Sequence, residues 1–509
     1  MLQKSNWRTM GVAAACGTSM CLGASASASI EVIYSEIAAD ASSLVPGLAK
    51  GTLFQAFDRP YRSPDGTMWI ISADTNLATT EDEVILVGSG TSGTVVVREG
   101  TPTGTGAGDL NGLLDRNLSI NNAGQYCYAT NTDAVTTADE KIIRWTGRGF
   151  EEAAVEGGAV PGVADELWGL GLDGAFIIAN GLVGFHAPST AGLQPTTSDD
   201  FLMLADTVIA QSGVTIPTGQ AGDAMAPWDL MDFEDFYMNA DGTSSIAQGD
   251  LTGDTTLDDV VVVDGAVVIQ EGVIIAGSGF AEPVDLNGIL EIYMSSSGDW
   301  MARGDNATTQ QDWVVLNGEV VVVTGDPIIT GSKETFSDAV FAACFFSMVA
   351  NNNGDYVIGG TTSAVDPEAD AVLVLNGETV IARQGDVVDL NGNGLPDDDV
   401  FIDIFNNDDA FLTDDGWYYF DADLYDGLKV ALGQAFLRIQ VDLDGKEVTG
   451  DLTGDGIVDG LDLGNLLANW SIPAGTPGCG GAKPCPADIN GDGVVDGLDL
   501  GILLANWTL

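Results

Sequence analysis

The chain has 509 residues, with 75 Asp and Glu against 17 Lys and Arg and a formal net charge of −58. A field of that sign repels nucleic acid and anionic membrane, whose binding rests on cationic neutralisation of phosphates, and it suits divalent cations. With 66 glycines and Val, Ile and Thr spread throughout, the composition favours an all-β fold with many turns over a helical one.

In chain order, the first 28 residues read as a signal peptide. Lys4 and Arg8 make a basic start, Gly11 to Leu22 is short and mostly apolar, and Ala24-Ser-Ala-Ser-Ala28 offers A-x-A cleavage sites. The expected product is secreted, extracellular or at the cell surface. No later run is apolar for long enough to span a bilayer. Cys479 and Cys485 lie close together in a Gly/Pro-rich segment, where export permits a disulfide. Cys127 and Cys344 sit in apolar runs and are expected as buried thiols.

Residues 29–445 repeat one phrase with a period of roughly 53 to 65 residues, a spacing typical of propellers and solenoids. Its clearest part is Trp313 to Asp326, WVVLNGEVVVVTGD, two β-branched runs joined by Asn317-Gly318. Asn-Gly tolerates φ > 0 at both positions, as a type I′ hairpin turn requires. Val260–Gly272 and Ala371–Asp386 read the same way. Each unit also carries a turn ahead of an aromatic-rich run. These turns are Ser63–Trp69, Asn121–Tyr128, Gly171–Ile177, Asn239–Ser245, Ser296–Ala302, Asn352–Ile358 and Thr413–Phe420. Four strands in meander order per unit make the blade of a β-propeller, because one sheet hides both faces only between two neighbours. The seventh unit lacks a fourth strand, and Ile30-Glu-Val-Ile-Tyr-Ser35 is left over at the other end. Pairing the two would remove two free edges, so the expected fold is a seven-bladed propeller closed by the N-terminal strand.

After a linker at 446–450, residues 451–509 change character. Asp451, Thr453, Asp455, Ile457, Asp459 and Asp462 occupy loop positions 1, 3, 5, 7, 9 and 12, with Gly456 at 6. Asp488, Asn490, Asp492, Val494, Asp496 and Asp499 repeat the arrangement around Gly493. Hard oxygens at these positions, a backbone carbonyl at 7 and a glycine for the sharp turn describe an EF-hand-type calcium loop. Each loop leads into a helix with an apolar stripe, Leu463, Leu466, Leu467 and Trp470, then Leu500, Leu503, Leu504 and Trp507. A helix therefore follows each loop and none precedes it. This duplicated loop–helix resembles a type I dockerin module. The resemblance implies folding dependent on Ca2+ and docking onto a cohesin-like protein or cell-surface component. Positions 10 and 11 are Gly460-Leu461 and Gly497-Leu498, where that family has small hydroxyl residues. Within the propeller, Asp389, Asn391, Asn393 and Asp397 keep positions 1, 3, 5 and 9 around Gly394, a further candidate calcium loop.

Catalytic patterns are scarce. The single histidine, His186, is read as structural and placed in a loop after a strand. Gly88–Gly93 and Gly169–Gly174 match G-x-G-x-x-G outside any βαβ unit and read as β-turns. Trp69, Tyr126, Trp300, Tyr356 and Trp417 recur at the turns and read as packing residues. The function these features favour is a secreted, non-catalytic binding or scaffold propeller with a calcium-binding attachment module, with a polysaccharide as a possible ligand. The alternative is a secreted glycoside hydrolase or polysaccharide lyase. Convergent carboxylates or a His/Tyr/Arg cluster in the central channel would favour that enzyme.

Overall fold

The structure, a computed structural model, describes residues 29–37, 40–106, 108–113, 118–190, 195–222, 225–337, 343–395, 397–443 and, in the tail, 452, 458, 460–470, 487, 489, 494–505 and 507. The chain divides into two compact units, one spanning Ala28–Leu443 and one containing the tail from Asp444.

The Asn-Gly hairpin forms as its residues dictate. Asp312–Leu316 and Glu319–Val323 pair antiparallel and close on Leu316 opposite Glu319. Asn317 and Gly318 lie at φ 51° and 84°. Asp264-Gly265 and Asn376-Gly377 hold the same left-handed pair of conformations in the equivalent hairpins.

Seven antiparallel sheets arise from this unit. Blade 1 begins at Phe54–Phe57, blade 2 at Leu110–Leu113, blade 3 at Asp173–Ile177 and blade 4 at Trp228–Met238. Blade 5 begins at Val284–Met294, blade 6 at Phe345–Ala350 and blade 7 at Phe401–Leu412. In each blade the strands follow in meander order, and from blade 3 to blade 7 each first strand lies against the first strand of the next blade. Blade 7 supplies only three strands of its own. Ile30–Ser35 completes it by pairing antiparallel with Ala431–Gln440. On its far side the same strand takes a short parallel pairing with Val388–Asp389.

Apolar clusters run all the way round. Ile70, Ile85 and Tyr128 join blades 1 and 2, and Ala129, Phe185 and Phe201 join 2 and 3. Leu202, Phe236 and Val260 join 3 and 4, and Val261, Ile292 and Trp313 join 4 and 5. Val314, Phe345 and Val372 join 5 and 6, and Leu373, Leu412 and Phe420 join 6 and 7. The ring closes where Tyr34, Trp69, Tyr419 and Phe436 pack blade 7 on blade 1. Trp69 stands edge-on to Phe436 at 5.3 Å between ring centres. Its own seat explains the Gly88–Gly93 motif. These two glycines pair across the outer hairpin of blade 1, and a Cβ on either would fall about 2 Å from the Trp69 ring.

Blade 3 corrects one expected turn. Gly171–Ile177 contains its first strand, Asp173–Ile177, and the turn into the second lies at Asn180-Gly181. A short, glycine-bearing inner strand imitates the turn phrase of the other blades.

In the tail, helices Gly460–Ala468 and Gly497–Ala505 pack through Leu466 and Leu503, with Val458, Val495 and Ala487 completing the core. Leu463 and Leu500 are partly buried against it. Leu467 and Leu504, expected in the stripe, are exposed, as is Trp470. Two short helices in contact cover a narrower arc of each surface than an i, i+3, i+4 stripe spans.

Candidate functional site

Ion pairs join non-adjacent blades across the ring, Arg59 of blade 1 with Glu291 of blade 5 and Arg303 of blade 5 with Asp408 of blade 7. Inner strands here are not regular. Residues 406–409 of blade 7 bulge opposite the single residue Asp421, and residues 285–288 of blade 5 opposite Asp305. Asp408 takes φ 56° to make its bend. Bulges of this kind re-aim side chains that a regular strand would send into the blade interfaces.

The result is a cluster drawn from blades 1, 5 and 7. Arg303 Nη2 donates to Asp408 Oδ2 at 2.6 Å, and its Nη1 donates to the Phe345 carbonyl of blade 6 at 2.9 Å. Both side chains of that pair are buried. Arg59 Nη1 donates to Glu291 Oε1 at 3.3 Å, with each side chain about one-fifth exposed. The Arg59 guanidinium also lies 5.7 Å from the centre of the Tyr61 ring. Asp58 accepts from Ser72 Oγ at 2.8 Å, and Tyr293 donates to the Ala350 carbonyl at 2.9 Å.

Burial and crowding set the protonation here. Asp409 is pushed up to about 7, first by burial, with the Asp408, Asp58 and Glu291 carboxylates adding and Arg59 opposing. Asp421 is pushed well up by burial and by Asp409, although Asn406 Nδ2 and the Ala422 N–H donate to it. Glu291 rises by burial and by the Asp408 charge, against Arg59 and Arg303. The cluster therefore holds protonatable carboxyls beside fixed guanidinium charge. Two buried atoms in it, Arg303 Nε and Asp408 Oδ1, find no partner among the described residues.

Turns of different blades are tied to one another by hydrogen bonds. Asn352 Nδ2 of blade 6 donates to the Pro64 carbonyl of blade 1, reaching past blade 7, and to Asp414 Oδ2. Asn121 Nδ2 donates to the Ile178 carbonyl, and Ala240 N–H to the Ser296 carbonyl, at the same set of turns.

The calcium candidates fall in two places. Asp451, Thr453, Asp455, Ile457, Asp459, Asp488, Asn490 and Asp492 lie outside the described residues, as do Cys479 and Cys485. Of the rest, Asp462 and Asp499, the twelfth positions of the two loops, are fully buried. The Leu452 N–H donates to Asp462 Oδ1 at 2.8 Å, and the Asp496 N–H to Asp499 Oδ2 at 2.8 Å. Val494 is partly exposed at the start of the second helix approach. In the propeller loop, Asp389 is buried, and both its oxygens accept backbone N–H groups, from Gly392 and Asn393 at one and Gly394 at the other. Asn391 and Asn393 turn back onto the following amides, and Asn393 Nδ2 donates to Asp397. Asp398 caps the Leu390 and Asn391 N–H groups. An ionised carboxylate keeps lone pairs beyond those given to the amides, so this donor set suits a hard cation. Among the described residues, no group of three or more His, Cys, Asp and Glu is arranged to hold a metal.

His186 sits inside the second strand of blade 3, Val183–Pro188, not in a loop, and its Nε2 lies 2.6 Å from Asp200 Oδ1 in the core. Cys127 and Cys344 are buried free thiols, as their surroundings predict. Trp69, Tyr126 and Trp300 are buried in blade packing, and Arg438 covers Trp417 at 3.9 Å. No described helix is long and apolar enough to cross a membrane. The axial cluster had no signature in the sequence, because its members come from distant blades and depend on bulges for their aim.

No known protein family and no curated protein matches the chain. Solved structures share its architecture at low identity. An oligogalacturonate lyase of Vibrio parahaemolyticus is 12% identical, with a TM-score of 0.41, covering 82% of this chain and 100% of that one. Prolyl oligopeptidase B of Galerina marginata is 8% identical, with a TM-score of 0.34, over 73% and 46%. The β-propeller domain of the Trilobed protease of Pyrococcus furiosus is 9% identical, with a TM-score of 0.35, over 74% and 98%. At such values the likeness is one of fold and carries nothing about activity.

Proposed function

We propose that this chain is an exported binding propeller whose polar ligand sits at the axis, with a calcium-folded tail as its attachment module. The observation that carries the reading is the unspent hydrogen-bonding capacity of Arg303 Nε and Asp408 Oδ1 within a charged, largely buried cluster. Buried polar atoms without partners are costly, and a hydroxyl-rich ligand such as a polysaccharide segment meets donors and acceptors alike. Against catalysis stands the commitment of the side chains that chemistry would need. Arg303 and Asp408 hold each other, and the histidine and both described cysteines are buried in blades.

A second reading, a glycoside hydrolase or polysaccharide lyase, draws support from Asp409, pushed up to about 7 beside Arg59. A carboxyl with that poise is suited to general acid–base work at neutral pH. One experiment separates the two. The full chain is incubated with a polysaccharide panel, and both retention on the polymer and release of reducing ends or unsaturated products are measured. Binding without release, lost in Arg59→Ala, is the expected result; product in any well replaces the first reading with the second.

For the tail, calcium is proposed from the paired burial of Asp462 and Asp499. From residue 447 to the end, the only cationic side chain in the sequence is Lys483. Buried carboxylates call for a counter-charge. Calorimetric titration of the chelated protein should show two tight calcium sites that Asp462→Ala and Asp499→Ala remove one at a time. The Asp389 loop is proposed as a weaker third. Heat from neither tail loop would sink the attachment-module reading.

A further inference from the structure

Six blades end in one recurring corner. After the fourth strand, one residue donates its N–H to the opening residue of the third strand, and the glycine after it donates to the segment entering the next blade. In blade 1 these bonds are Glu99 to Glu83 and Gly100 to Leu110; in blade 2, Glu156 to Glu140 and Gly157 to Trp168. Ser212-Gly213, Glu271-Gly272, Thr324-Gly325 and Gln384-Gly385 repeat the pattern in blades 3 to 6, all at 2.7 to 3.0 Å.

In three blades an aspartate one or two residues ahead of the third strand faces this corner: Asp82 opposite Glu99, Asp139 opposite Glu156 and Asp258 opposite Glu271. An ionised glutamate has no hydrogen to donate to it. Glu99 is only 5% exposed, and its Oε2 has no donor partner among the described residues; Glu156 Oε2 and Asp139 Oδ1 are likewise buried without one among them. In blade 4 the Asp258 and Asn287 N–H groups donate to the two oxygens of Glu271, so neither is left without a partner there.

We propose that Glu99 and Glu156 take up a proton in acid and donate it to Asp82 and Asp139, so that these two corners hold the next blade more firmly in acid than at neutral pH. Burial first, then the facing aspartate, pushes each glutamate up, and Glu140 adds to the second. The other charged groups near the first corner are Glu81, Glu83 and Arg98. Near the second is Lys141, whose Nζ is engaged by the Ala138 carbonyl and by Glu152 at 3.5 Å. A carboxyl whose folded pKa is raised contributes stability in full below its ordinary pKa and loses it as pH rises through the raised value.

The test uses the full chain at fixed ionic strength, following the propeller's melting temperature from pH 4.5 to 8.5 with and without calcium. Glu99→Gln/Glu156→Gln supplies the amide hydrogen permanently. It should match the parent in acid and melt on the order of 2 °C higher per corner at pH 8.5. Asp82→Asn/Asp139→Asn removes the same clash from the other side and should flatten the same part of the slope. In the parent, exchange of the Gly100 and Gly157 amides, corrected for intrinsic rate, should quicken between acid and neutral pH. Parallel slopes in parent and variants would overturn the proposal. So would variants less stable at every pH that also lose a calcium-dependent rise seen in the parent, since the corners would then be cation sites.

Discussion

The propeller and the tail solve the problem of a stable fold by opposite means. Each blade interface in the ring has its own apolar cluster, and the last is closed by the chain's other end through Ile33, Tyr34 and Phe436. The apolar residues that the tail buries among its described residues are Val458, Leu466, Ala487, Val495 and Leu503, around two nine-residue helices. A core that small does not offset the chain entropy of ordering the segment, and units of this size usually need a metal or a disulfide. The ring is therefore stabilised by repetition of apolar faces and the tail, on our reading, by ions.

The largest effect should come from opening the ring. Removing residues 29–36 uncovers the edge of Ala431–Gln440 and one side of the cluster around Trp69 and Phe436. Because closure couples every blade to the next, the expected outcome is loss of the single cooperative melting transition and gain of edge-driven aggregation. Truncation after Leu443 should leave that transition where it was. Differential scanning calorimetry of both truncations checks the contrast; a closed-ring transition surviving loss of the strand would sink it. Next in size is chelation. Excess EDTA should abolish the helical signal of the tail and lower the propeller's melting by only about a degree, as expected when the tight sites lie in one unit and the other holds at most the weak Asp389 site.

How much of this was legible in the sequence follows the same divide between local and distant. Asn317-Gly318 announced its hairpin because φ > 0 at two adjacent residues is a local demand. The orphan strand Ile30–Ser35 announced closure because strand counting is also local. Gly171–Ile177 misled because a short inner strand with a glycine carries the same letters as a turn. Leu467 and Leu504 misled because helical periodicity marks a stripe without saying how wide the neighbour is. Arg59, Glu291, Arg303 and Asp408 left no trace. They meet only after three blades have been placed around an axis, and Asp408 reaches the meeting point only through a bulge.

That meeting point gives the third prediction. Asp408→Asn leaves the Arg303 charge buried opposite a neutral amide, and loss of one partner of a buried pair costs about 3–5 kcal/mol. Arg303→Met with Asp408→Leu removes both charges and should cost far less, or nothing. Urea denaturation of the three proteins measures the difference. If the double variant is as weak as the single one, the pair is held for packing and not for charge.

The smallest effect isolates the repeat itself. Asn317 serves its blade twice: it adopts the left-handed conformation of the turn, and its Oδ1 accepts the Trp300 N–H at 2.9 Å, pinning the start of the second strand. Asn376 does the same for Tyr356 at 2.8 Å, and Asp264 for Ser245 at 2.9 Å. Only a short side chain with a carbonyl oxygen meets both demands, which is why Asn and Asp alternate there. Asn317→Ala should therefore cost about 2 kcal/mol, combining left-handed strain with a lost hydrogen bond. Asn317→Gly keeps the conformation and should cost about 1 kcal/mol. Asn317→Asp keeps both functions but loses the Nδ2–H bond to Asp299 and sets a carboxylate against it, and should cost about 0.5 kcal/mol. Urea midpoints falling in that order would tie the propeller's recurring phrase to one bond per blade, whereas equal losses for Ala and Gly would leave the hydrogen bond as the whole of it.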